Sequence, residues 1–175
     1  ADVELLAVSV GPGSFTGLRI GVAAWKGLAL AGGLPLIGVS TLDAMTRIGA
    51  FHERTVCPLL DAKMGEVFGA VYRFASGRRE KLIDECVLPI DRLLTLAPDD
   101  TVFFGDGADL YREAIHAARP YAPILGGAFR SPRASAVCME AEHMLAGGCA
   151  TAAADVKPVY LRMSQPEVVR AQAAR

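Results

Sequence analysis

Apolar and polar positions change period several times along this chain. Leu5 to Val10 is an apolar run closed by Gly11-Pro12-Gly13, the pattern of a buried strand ending in a turn. A helix-length segment follows from Phe15 to about Ala31, with Ser14 or Thr16 as its cap and Gly32-Gly33 as its stop. Leu34 to Ser40 is a second apolar run, and residues 41–51 read as a helix capped by Ser40 or Thr41. Strand, helix, strand, helix predicts a parallel sheet.

The pattern then shifts. Residues 56–74 hold two apolar runs around a polar break at Asp61 to Glu66, which predicts a β-hairpin. A second turn at Ser76-Gly77 leads into another strand, so a hairpin-rich lobe is expected to begin near Arg54. Residues 89–97 read as a short helix. Thr101 to Phe104 reads as a strand running into Gly105-Asp106-Gly107. Residues 108–118 and Ser131 to Ala146 are helical in pattern, the latter opened by Ser131-Pro132. Val156 to Arg162 is a last extended piece, and residues 163–175 read as a loose tail. The expected units are therefore residues 1–53, residues 54–162 and the tail. The chain starts at Ala1 and enters a core strand almost at once, which predicts that an N-terminal part is missing.

The long helix carries the most information. At 100° per residue, Phe15, Leu18, Val22, Trp25 and Ala29 fall on one stripe. Gly17, Ile20, Gly21, Ala24, Leu28 and Ala31 fall on another, and Arg19 and Lys26 share a narrow polar stripe. Such a helix needs cover on two sides. Its own sheet can supply one, and a further helix or a partner protein the other. Glycine inside a helix costs about 1 kcal/mol against alanine, so Gly17 and Gly21 imply close approach of another backbone. The periodicity does not say whether that backbone is the chain's own, nor which stripe meets a partner.

Composition narrows the function classes. The chain has 175 residues, 52% hydrophobic and 21% charged, with a formal net charge of -1. It is too apolar for a disordered chain, and it has no global attraction for nucleic acid or anionic lipid. Gly77 to Lys81 is the one basic cluster, and there is no aromatic–basic interleaving of the kind an RNA-binding module uses. Cys57, Cys86, Cys138 and Cys149 form no CxxC pair and read as free thiols. His52, His116 and His143 share no HxxxH or HxxH spacing, so no metal site is expected. The one candidate membrane span, Ile20 to Val39, contains Lys26, Pro35 and glycine stops, so no membrane association is expected.

The glycine turn invites a phosphate-binding reading. A Walker A loop needs Lys and Ser/Thr after its last glycine, but Leu18-Arg19 follow Gly17. The dinucleotide fingerprint needs glycine where Thr16 stands. Backbone N–H groups at a helix start can still hold an anion, but a steric turn between strand and helix is the favoured account of these glycines.

An ordered set of blocks, GPGSFTGLRIG, KGLAL, PLIGVSTLDAM, DAKMGEVFGAVY and KPVYLR, resembles the TsaB (YeaZ) family from about Ala7 to Arg162. These are bacterial subunits of the machinery that makes threonylcarbamoyladenosine at position 37 of tRNA. The resemblance implies an α/β, two-lobed actin-like (ribonuclease H-like) fold, here lacking the N-terminal strands and first helix of the first lobe. In the family's catalytic paralogue, TsaD, a His-x-x-x-His pair follows the strand matching PLIGVS, Pro35 to Ser40; the matching positions here are Thr41 and Met45. A hydroxyl and a thioether cannot replace two imidazoles on such a cation. The resemblance thus implies no cofactor and a cytoplasmic, non-catalytic scaffold that binds and activates a TsaD-like subunit. It further implies a TsaE-like ATPase as partner, a homodimer when isolated, and tRNA contact only through the complex. The family pairs through the first helix of the N-lobe, which has no counterpart here, and the helix matching Phe15 to Ala31, so Gly17, Leu18, Gly21, Val22, Ala24, Trp25 and Leu28 are the partner-binding candidates. Asp61, Gly65, Gly105 and Gly107 are candidate remnants of a lost or weak nucleotide site, though turn geometry is the favoured account of them. Competing readings are a glycoprotease-like metallo-enzyme of the TsaD kind, which needs histidine pairs, and an actin-like small-molecule kinase, which needs ATP binding.

Overall fold

The structure, a computed structural model, describes residues 3–149 and 152–162. The tail expected over 163–175 lies outside the described residues.

Two sheets organise the chain. In the first, β1 (Leu6–Gly11) and β2 (Leu36–Ser40) run parallel, with Leu6 opposite Leu36 and Ser9 opposite Val39. They are joined by α1 (Phe15–Gly32), so the parallel pairing follows from the strand–helix–strand pattern. Ser14 caps α1, its Oγ accepting the Gly17 N–H at 3.3 Å, and Gly33 closes it in the left-handed conformation. Ser40 likewise caps α2 (Thr41–Met45) by accepting the Asp43 N–H at 3.2 Å.

The second sheet has the order β5-β4-β3-β6-β7. β3 (Arg54–Lys63), β4 (Glu66–Ala75) and β5 (Arg78–Pro89) are the antiparallel meander the two turn signals predicted. After α3 (Ile90–Leu96), β6 (Val102–Phe104) joins β3 in parallel; after α4 (Asp106–Leu110) and α5 (Arg112–Ala118), β7 (Ile124–Leu125) joins β6. Strand alternation divides β3 between two cores. Cys57 and Leu59 face Leu93 and Ile115 of α3 and α5. Val56 and Leu60 face Leu42, Met45 and Phe51, under a cluster of phenylalanine rings that includes Phe104 and Phe129.

Three elements differ from expectation. The helix expected over residues 41–51 stops at Met45: the Thr46 hydroxyl donates to the Asp43 carbonyl at 2.7 Å, and Arg79 Nη1 donates to the same oxygen at 3.1 Å. The chain then turns so that Gly49 fits beneath Phe51 and Phe129. The helix expected over 108–118 is two, broken at Tyr111. The helix expected from Ser131 begins at Ala134 as α6 (Ala134–Ala146). The expected second unit, 54–162, contains α6, but this helix crosses back to the first sheet: Ala136, Val137 and Ala141 pack on Ile37, Val39 and Ala44. Val156 also returns, into a core with Val10, Val22 and Ala29. The first sheet is thus held between α1 and α6.

Candidate functional site

The α1 helix resolves its own two-sided pattern. Val22 and Ala29 are buried against β1 and β2, with Phe15 and Leu18 half-buried beside them. This is the stripe the chain covers itself. Val22 therefore has no surface to offer a partner, Leu18 has little, and Trp25 lies at the boundary. The opposite stripe is open. Ile20 is 66% exposed and Leu28 57%, and Ala31 is exposed as well. Gly17 and Ala24 are exposed, and a Cβ built on Gly21 would meet nothing within 4 Å. The small-residue ridge is not packed on the chain's own sheet. The polar stripe instead ties α1 to the C-terminal segment. Lys26 Nζ donates to the Ala154 and Val156 carbonyls at 2.8 and 3.0 Å, and Arg19 Nε donates to the Tyr160 hydroxyl at 2.9 Å.

Of the two positions that the resemblance matches to the paralogue's histidines, Thr41 lines the cleft between the sheets and Met45 lies inside the protein. Thr41 is buried, its hydroxyl 2.5 Å from that of Ser9. Met45 is fully buried in the phenylalanine-lined core. A metal would find a hydroxyl already partnered and a thioether packed among hydrocarbon, so these residues do not fit one. Among the described residues, no three His, Cys, Asp or Glu side chains converge as a metal cluster would require.

A cleft of about 890 Å³ separates the glycine turn from the β3–β4 hairpin. Phe15, Leu18, Leu60 and Phe68 give it a largely apolar wall, and residues 159–162 close one side. Of the four candidate nucleotide residues, Asp61 borders the cleft. Its carboxylate accepts from the Lys63 N–H at 2.7 Å and from Lys63 Nζ at 2.5 Å. Partial burial works to raise the Asp61 pKa, but these bonds outweigh it and hold the carboxyl below its ordinary value. Asp106 also borders the cleft, and its Oδ1 accepts the Asp61 N–H at 3.1 Å. Gly65 forms the hairpin tip, open to solvent. Gly105 and Gly107 lie beneath β3, where a Cβ would collide with the Leu59 backbone; Gly105 also has φ +106°. Packing therefore accounts for the two glycines.

Sequence reasoning missed a polar network between the sheets. The basic cluster Gly77 to Lys81 is not a free patch. Strand alternation puts Arg79 and Lys81 on the same face of β5, Arg79 half-buried and Lys81 exposed within reach of Asp43. Arg79 donates to both oxygens of Glu140 at 2.9 and 2.6 Å, and Arg47 Nε donates to the same carboxylate at 2.5 Å. Burial opposes the Arg79 charge, but Glu140 more than offsets this and raises its pKa. Lys81 pairs with Asp43 at 3.1 Å, whose Oδ1 also accepts from the Tyr72 hydroxyl at 2.7 Å. Burial, with Asp43 beside it, pushes the Tyr72 hydroxyl far up. The signal for this network was the alternation along β5, together with a glutamate at an inward position of α6.

Two sheets with their helices, a cleft between them, and a strand–glycine turn–helix unit facing that cleft define an α/β protein of the actin-like class. The family described as "TsaD: tRNA N6-adenosine threonylcarbamoyltransferase" matches residues 1–172. The tRNA threonylcarbamoyladenosine biosynthesis protein TsaB of Bacillus subtilis is 31% identical over 173 residues, covering 95% of this chain and 72% of its own length. The protein of the same name from Escherichia coli is 35% identical, covering 92% and 71%. A solved structure of YeaZ from Pseudomonas aeruginosa superposes with a TM-score of 0.75 at 31% identity, over 91% of this chain and 74% of that one. The chain belongs to the TsaB (YeaZ) family, on the actin-like fold its blocks implied. The tRNA N6-adenosine threonylcarbamoyltransferase of Sorangium cellulosum is a more partial relative, 30% identical over 40% of its own length.

Proposed function

We propose that this chain is a cytoplasmic, non-catalytic subunit of the complex that installs threonylcarbamoyl on adenosine 37 of tRNA, and that it works by docking a TsaD-like subunit on the outer face of α1. The carrying observation is that face: Ile20, Ala24, Leu28 and Ala31 lie exposed around two glycines, and Gly21 leaves space for a second helix backbone. A contiguous apolar helix face of this kind is an interaction surface. The isolated chain uses the same face to form a homodimer, and tRNA and a TsaE-like ATPase reach it only within the assembly. Met45 in the core and a hydroxyl at Thr41 support assigning the transfer chemistry to the partner.

Gly21→Leu tests this reading. The substitution places a side chain in open space, so the chain keeps its fold and gains about 0.5–1 kcal/mol of helix propensity. It fills the space a partner backbone needs, so capture by a TsaD-like subunit is lost in pull-down. Undiminished capture contradicts the assignment of the face. Depleting the full-length protein and measuring tRNA nucleosides by mass spectrometry tests the pathway, and an unchanged threonylcarbamoyladenosine level overturns it.

A further inference from the structure

We propose that residues 156–162 form a latch that sets the width of the inter-sheet cleft, with Arg162 as its release point. At one end the segment is seated firmly on the first sheet. Val156 is buried, and the Val159 N–H donates to the Val10 carbonyl at 2.7 Å. Lys26 holds the Val156 carbonyl, and the Tyr160 ring lies 4.8 Å from that of Phe15 with Arg19 bonded to its hydroxyl. The bed is shaped for the segment: a Cβ on Gly11 would come within 2.5 Å of the Val159 oxygen, and one on Gly38 within 3.1 Å of Val156.

The other end is different in kind. It reaches the β3–β4 hairpin through Arg162, which donates to the Ala62 carbonyl at 2.8 Å and pairs with the Glu66 carboxylate. Both side chains of that pair are partly exposed, so water can replace the contact at low cost. The far side of the molecule cannot open so easily. There Glu140 is buried between Arg47 and Arg79, and separating them would strand a buried charge. Motion between the sheets therefore pivots at the Glu140 joint and opens at the cleft, where Arg162 ties the segment to the hairpin through Ala62 and Glu66. Release exposes Phe15, Leu18, Leu60 and Phe68.

Hydrogen exchange on the intact chain tests the latch. Arg162→Ala should exchange about fivefold faster in peptides spanning 12–18 and 60–66, with the α2 and α6 joint unchanged. In the wild-type chain, raising salt screens the Arg162–Glu66 pair and should move the same peptides in the same direction, an effect the variant lacks. Glu66→Gln should give an intermediate change. Unchanged exchange at the cleft in Arg162→Ala overturns the proposal, as does a uniform rise that includes the joint. The salt response of the wild-type chain decides the matter even where the variant folds poorly.

Discussion

At the residue scale, burial decides what each side chain can do. Met45, which the resemblance matches to a metal-binding histidine of the paralogue, fills a core beside Phe51 and Phe104 with its thioether. Met45→Ala should cost about 2–5 kcal/mol in thermal or denaturant unfolding through the cavity it leaves. Placing histidines at both Thr41 and Met45 should destabilise the chain without creating a zinc site, which calorimetry with zinc would check. Gly105 is a stricter position, because both its positive φ and the Leu59 carbonyl exclude a side chain. Gly105→Ala should lower stability by about 2–4 kcal/mol. The cysteines separate by the same logic. Burial pushes the Cys57 thiol far up, with Cys86 adding to the effect, while Cys138 and Cys149 are exposed. A disulfide-exchange reagent at pH 8 should titrate the two exposed thiols quickly, Cys86 more slowly, and Cys57 only after unfolding.

At the scale of elements, sequence periodicity was most legible where one strong local signal governed the outcome. The β1–α1–β2 unit has its apolar runs, its Ser14 cap and its Gly33 stop in sequence order, and it folds as they indicate. The β3–β5 meander follows its turn residues in the same way. Local signals failed where distant residues intervened. The α2 helix is cut short partly because Arg79, from another sheet, takes a carbonyl the next turn would have used. β7 has two residues and exists only by pairing with β6. The two stripes of α1 were visible in the sequence. Which one is open depends on β1, β2 and Val156, and so needed the fold. Ile20→Arg on the open stripe should leave the melting temperature within about 2 °C of that of wild type diluted to its monomer, as surface changes do, while removing partner capture. A comparable loss of stability would show that the face is covered from within.

At the scale of the whole molecule, the two sheets are joined by a charged cluster rather than by hydrocarbon alone. Glu140 is 3% exposed and carries Arg47 and Arg79 together. Glu140→Ala should cost about 3–5 kcal/mol because two guanidinium groups lose their counter-charge inside the protein. Unfolding followed by probes on each sheet should show the transitions separating in this variant and coinciding in the wild type. The open stripe of α1 carries a consequence for the material itself. A surface that is hidden only in an assembly makes measured stability obey mass action. Diluting the isolated chain should lower its melting temperature, and adding a partner that covers Ile20 and Leu28 should raise it. In a cell, the supply of this subunit relative to its partner would then decide how long each new copy survives.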